Sequence, residues 1–174
     1  VHASVMLKIP TREDAKTVPA LFAQEGFQPY RYFGSQRIWT DPANPHNPML
    51  DGQGRVWITT RLRGIENPSW CQEGSDHPSA KYFPLQRSYR QAGYYSPEKG
   101  TFVLVDTCFS THHLQFAEDV SDTLYFSAAA GAEVGWINTR MYDETGDERL
   151  SQGWCPQVID TNGDGEITKP WNEP

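Results

Sequence analysis

The chain has 174 residues, enough to bury one substantial core. Its 22 acids outnumber 15 bases, and the net charge of -7 argues against DNA, RNA and anionic membranes as partners. No apolar run approaches the roughly 20 residues that a membrane-crossing helix requires. Aromatic residues make up 13% of the chain, with 14 Gly and 13 Pro, a composition that favours short strands joined by frequent turns.

Residues 1–29 read as an N-terminal strand and irregular segment, and 30–174 as strand repeats of one domain. The N-terminal part holds one helix candidate, Arg12 to Gln24, with Thr11 as N-cap, Gly26 near the C-terminus and Pro19 interrupting it. No signal peptide is evident, and the first residues read as mature protein or an internal cut.

A weak internal repeat begins at His46. The first copy runs through Asn47-Pro48-Met49-Leu50, an Asp51-Gly52-Gln53-Gly54 turn and the strand Val56-Trp57-Ile58-Thr59. Such a turn between apolar runs is a strong hairpin signal. Residues 66–90 contain Pro68, Gly74, Pro78 and Pro84 and read as a long excursion from the sheet. Gln91 to Ser96 and Thr101 to Asp106 form a second expected hairpin around Pro97-Glu98-Lys99-Gly100. The second copy starts at His113 and runs through Leu114-Gln115-Phe116, a longer acidic turn from Glu118 to Asp122, and Thr123-Leu124-Tyr125-Phe126-Ser127. Glu133 to Thr139 is a further expected strand, and Asp143 to Gly153 reads as a polar loop. Strand, turn and strand recurring about every dozen residues predict an all-β sandwich, barrel or propeller.

Near the C-terminus, Asp160, Asn162 and Asp164 alternate, followed by Gly165, Glu166 and Ile167. This is the first part of a D-x-[DN]-x-[DN]-G calcium loop, in which alternating oxygens point at one hard cation. The position that a bidentate Glu closes in an EF-hand is Trp171, preceded by Pro170, so the loop departs from that motif. Glu173, or an acid elsewhere in the fold, is the expected closing ligand. The expected Ca²⁺ set is therefore Asp160, Asn162, Asp164, Glu166 and Glu173. Without an ion, the same residues would form a solvated Asx-rich turn.

Of three cysteines, Cys71, Cys108 and Cys155, no two form a C-x-x-C pair, which argues against a zinc knuckle. Cys71 with Cys108 is the expected disulfide, because each sits in a loop beside a predicted strand. Cys155 is then free or paired outside this chain. Three buried thiols in a cytosolic protein are the alternative.

The Asp-x-x-Gly turn followed by Val56-Trp57-Ile58-Thr59 resembles a blade unit of the streptogramin-lyase-like and NHL-like β-propellers. Tyr95-Ser96-Pro97-Glu98-Lys99-Gly100-Thr101-Phe102 is similar to the hairpin of such blades, with Ser96 in place of an aspartate. More narrowly, His46-Asn47-Pro48-Met49, the Gly74–Ala80 string Gly-Ser-Asp-His-Pro-Ser-Ala, and the segment from Thr107 to Phe116 resemble an uncharacterised group of large secreted bacterial propeller proteins labelled carboxypeptidase-regulatory-like. The resemblance covers about residues 30–174. It implies an all-β partial propeller of two to three blades with long loop insertions, secreted or periplasmic. Since a propeller closes with at least four blades, it also implies a piece of a longer chain or assembly.

In propellers the first strand of each blade lines the central channel. The resemblance therefore implies that His46 and His113 approach one axial mouth, with only one of the neighbours His112 and His113 facing it. Imidazoles there suit a transition metal or general acid–base work; ordinary packing is the alternative. Asp76-His77 offers a carboxylate–imidazole pair or a loop cap, and Glu118 and Asp119 offer mouth acids or a solvated turn. Arg61, Arg63, Arg87 and Arg90 offer an anion clamp or surface ion pairs. Ser110 and Thr111 lie outside any G-x-S-x-G elbow, and neither a P-loop nor a dinucleotide fingerprint occurs. Two functions follow as expectations: a secreted, calcium-stabilised module that binds a small molecule or protein at its axial face, and a metal-assisted lyase or hydrolase of the streptogramin-lyase type using His46, His112 and His113.

Overall fold

The computed structural model describes residues 45–61, 64–128, 131–157, 160 and 162–166. The Arg12–Gln24 helix candidate, Arg63, Trp171 and Glu173 lie outside them.

Among the described residues, eight strands form two four-stranded sheets, each an antiparallel meander in chain order. The first contains β1 (His46–Leu50), β2 (Val56–Thr60), β3 (Gln91–Ser96) and β4 (Thr101–Val105). The second contains β5 (Leu114–Phe116), β6 (Thr123–Ser127), β7 (Glu133–Asn138) and β8 (Gln152–Pro156). The all-β expectation holds, and the two repeat copies supply the first hairpin of each sheet.

The meanders follow from local chemistry. At the β1–β2 turn, Asp51 Oδ1 accepts from the backbone N–H groups of Gln53 (2.9 Å) and Arg55 (2.8 Å), the Asx-turn that makes Asp a good turn residue. At the β5–β6 turn, Asp119 Oδ1 does the same for Ser121 (3.1 Å) and Thr123 (3.0 Å). Asp119 is thus the structural counterpart of Asp51, and it is exposed together with Glu118. Gly100, at φ 62°, closes the β3–β4 turn in a conformation that suits glycine.

The two sheets share one core. Trp57, Ala92 and Val105 from the first sheet join Leu114, Leu124, Phe126, Ile137 and Trp154 from the second in one cluster. Phe109, in the β4–β5 connection, is fully buried and packs 5.6 Å from the Phe126 ring. Its ring lies where a Cβ on residue 135 would stand, 2.2 Å away, which is why Gly135 occupies the middle of β7.

The Cys71–Cys108 disulfide joins the 66–90 excursion to the β4–β5 connection, and Cys155 is free and exposed. The excursion is not wholly irregular. It contains a 3₁₀ turn (Ser69–Cys71) and a short helix α1 (Pro78–Tyr82).

The expected strand Glu133–Thr139 ends one residue earlier, and the expected polar loop from Asp143 opens inside a helix, α2 (Thr139–Thr145). Asn138 caps α2 by accepting from Met141 N–H, and Gly146 ends it at φ 66°. Those two residues were the legible signals. β8 was not anticipated from the sequence: Gln152-Gly153-Trp154-Cys155-Pro156 is short, with a Gly inside and a Pro at its end.

Candidate functional site

β1 and β5 approach one another where the sheets meet. There His46, His112 and His113 come together, each with a ring nitrogen within 4.8 Å of the others'. His46 stacks on His112 with ring centroids 4.5 Å apart and planes 11° from parallel. His113 stands 5.4 Å from His46 and 4.2 Å from His112. All three sequence candidates therefore share one site. Both His112 and His113 approach His46, where alternation would turn one of the two neighbours away. Strict alternation of faces belongs to regular strands, and β5 begins only at Leu114. His112 and His113 precede it in irregular backbone, tied to the end of β6. His112 N–H donates to Ser127 O (2.9 Å), and Ser127 N–H donates to His113 O (3.1 Å).

His46 Nε2 is buried and makes no hydrogen bond. Such a nitrogen is costly unless something else satisfies it. Desolvation, reinforced by the charges of His113, His46 and Arg90, lowers the His112 pKa and so favours its neutral form. His113 is exposed, which opens one side of the group to solvent.

Two further residues shape the group, and the sequence reading missed both. Thr59, fully buried on β2, directs Oγ1 at His46 O (3.1 Å) and His112 O (2.9 Å). One hydroxyl thus ties the first sheet to the segment entering the second. Asn47 Oδ1 accepts from Leu114 N–H at 2.8 Å.

The other candidates have structural partners. His77 caps α1, with Nδ1 accepting from Ser79 N–H (3.2 Å) and Nε2 facing the carbonyls of Arg149 and Gln152 (3.1 Å each). Its ring stacks on Trp154 at 4.7 Å, and burial lowers its pKa. Asp76 pairs with Arg149. Ser110 Oγ accepts from Tyr89 N–H, and Thr111 Oγ1 donates to Gln91 O. Arg87 pairs with Glu66 at 3.1 Å on the surface. Arg61 and Arg90 lie close enough that desolvation and Arg61's charge together lower the Arg90 pKa.

Away from the histidines, a charged group ties the β1–β2 turn to α2. Arg55, only 8% exposed, donates Nε to Asp51 (2.5 Å) and forks onto both carboxylate oxygens of Asp143 on α2 (2.5 and 3.0 Å). Its guanidinium lies 4.6 Å from the Tyr94 ring centroid. Asp51 also accepts from Trp57 Nε1 at 2.9 Å. Burial opposes ionisation of Asp51, but the bonds from Trp57 and Arg55 hold its pKa below the usual carboxylate range.

In the C-terminal acidic loop, Asp160 Oδ1 accepts from Asn162 N–H (3.2 Å) and Gly163 N–H (2.6 Å), and Oδ2 accepts from Gly165 N–H (2.8 Å). Asn162 Nδ2 donates to Asp164 Oδ2 at 2.8 Å, and Glu166 N–H donates to Asp164 Oδ1 at 2.8 Å. The loop is exposed and coils on its own acids, whose backbone bonds lower the Asp160 pKa.

Fold and site together define an all-β protein with a three-imidazole cluster at the junction of two meanders. Compared with protein-family models, curated proteins and solved structures, the chain matches none.

Proposed function

We propose that this protein is a β-propeller module that holds a divalent transition metal in His46, His112 and His113 and binds its ligand at that mouth. The observation that carries the reading is the convergence of three imidazoles, one from β1 and two from the segment entering β5, one with a buried and unsatisfied nitrogen. Neutral imidazole suits Zn, Cu, Ni and Fe and is a poor match for Ca or Mg, which take oxygen. The propeller reading draws support from consecutive four-stranded meanders whose first strands adjoin, the arrangement expected of neighbouring blades. A disulfide fits an oxidising compartment, which supports a secreted or periplasmic setting. No helix among the described residues is long and apolar enough to cross a membrane.

The metal reading is tested on the full chain, stripped of metal, by titration with Zn²⁺ and Co²⁺. Each of His46→Ala, His112→Ala and His113→Ala is expected to weaken binding by more than about 100-fold, beyond the roughly 10–100-fold that outer-shell partners contribute. Binding should also fade as pH drops below the imidazole range, because protons compete for the same lone pairs. Equal affinity in wild type and all three variants would refute the site.

A second reading, a metal-assisted lyase or hydrolase, is favoured by one specific feature. Three protein ligands with an exposed flank match catalytic zinc sites, where the fourth position takes water or substrate. A metal there would polarise a carbonyl or activate water. The trio itself includes no carboxylate, so the proton-transfer partner would come from elsewhere.

The acidic loop is proposed as a separate calcium site built on Asp160, Asn162, Asp164 and Glu166, with Glu173 as the expected closing ligand. Ca²⁺ added to metal-free protein is expected to raise Tm, by about 2.7 kcal/mol of stabilisation at 100 times Kd. The paired change Asp160→Ala with Asp164→Ala should abolish that rise. A Tm indifferent to Ca²⁺ in the wild type would dismiss the ion.

A further inference from the structure

We propose that Asn47 and Thr59 are positioning residues of the histidine centre: together they aim His46 across the junction and so set the centre's metal affinity. This rests on the reading of the trio as a metal site.

The first observation is a break in register. His46 pairs with Thr59 and Met49 with Trp57, so Asn47 and Pro48 together oppose Ile58. That is a β-bulge, a device that re-aims a side chain and ends regular pairing. Asn47 sits at φ 46°, in the left-handed region. It does so directly before Pro48, whose ring pushes a preceding residue towards extended backbone. Two unfavourable demands therefore meet at the residue next to His46. Strain of this kind persists where the surroundings over-determine it, and it clusters at functional sites.

The second observation explains why the position is not glycine. Glycine would adopt this φ at less cost but would offer no side-chain acceptor. Asn47 Oδ1 takes the N–H of Leu114, the residue after His113. The residues following His46 and His113 are thereby locked together.

The third is Thr59. A hydroxyl has one proton, here shared between the carbonyls of His46 and His112, and Thr59 is fully buried. Asn47 and Thr59 thus hold the trio from two sides without contributing a ligand atom, as outer-shell groups do at metal sites.

The test uses Co²⁺ on the full chain, read by its d–d absorption band and by Zn²⁺ competition, with far-UV circular dichroism as the fold check. Thr59→Val keeps the shape of the side chain and removes the hydroxyl. Asn47→Gly keeps the permitted φ and removes the acceptor. Each is expected to raise the Co²⁺ Kd about 10–100-fold and to alter the d–d band with secondary structure intact. Thr59→Ser is expected to restore both. Wild-type affinity and an unchanged band in Thr59→Val and Asn47→Gly would overturn the positioning role while leaving the metal centre standing. Absence of Co²⁺ binding by the wild type would instead overturn the metal reading, and the positioning role with it.

Discussion

Asp51→Ala is expected to cost about 3–5 kcal/mol, the range for removing one partner of a buried ion pair. Its carboxylate serves four donors at once: the N–H groups of Gln53 and Arg55, the Arg55 guanidinium and the Trp57 indole. The side chains of Arg55 and Asp51 are 9% and 4% exposed, so water cannot readily replace the lost oxygens. Arg55 would retain Asp143 but lose its second counter-charge, and the indole N–H of the fully buried Trp57 would lose Asp51 as its acceptor. At about 2–4 °C per kcal/mol for a chain of this size, Tm should fall by roughly 6–20 °C. Asp119→Ala is the internal comparison. It removes the same two turn hydrogen bonds from an exposed turn with neither a buried cation nor a Trp attached, and its effect should be much smaller. Equal Tm losses in the two variants would show that the turn bonds, and not the buried charge network, carry the effect.

Replacing Cys71 and Cys108 together by Ser should lower stability by about 3–4 kcal/mol in the chain-entropy model, given a sequence separation of 37 residues. The bridge anchors the excursion at a point that other bonds also use. Asn67 Nδ2 donates to Cys108 O, and Cys108 N–H donates to Gln152 Oε1 at 2.9 Å. Gln152 in turn donates Nε2 to Asp106 O (2.8 Å) and Glu148 O (2.7 Å). The excursion, the β4–β5 connection and the start of β8 thus meet in one buried polar knot, which should retain native-like structure after the bridge is cut. Thermal melts with and without reductant should therefore show a lower Tm for the reduced wild type, matching the double variant. A reduced wild type that melts with the oxidised protein would exclude the bridge as a stabiliser.

The contrast between these two sites shows how differently each was written in the sequence. The cysteine pairing was legible, because only three thiols exist and two of them flank expected strands. The Arg55 network was not. Asp51 read as a turn residue, which it is, but Asp143 lies 88 positions from Arg55 and reaches it only because α2, held on β6 and β7, comes beside the β1–β2 turn. The histidines fall between these cases. A repeat begins at His46 and again at His113, so their approach was an expectation of the propeller resemblance. The participation of His112 was decided by irregular backbone before β5, which a two-residue periodicity could not anticipate.

The sequence alone determined the short strands other than β8, the Asp- and Gly-bearing turns and the oxygen-rich loop at 160–166, because each depends on neighbours a few residues apart: alternation of apolar residues, Asx hydrogen bonds and the φ freedom of glycine. The tertiary structure decided which imidazoles meet, which carboxylates share Arg55 and where Thr59 spends its hydroxyl. The longest of those contacts span 53 to 88 residues of chain, and they exist only once the two sheets bury their apolar faces in one core.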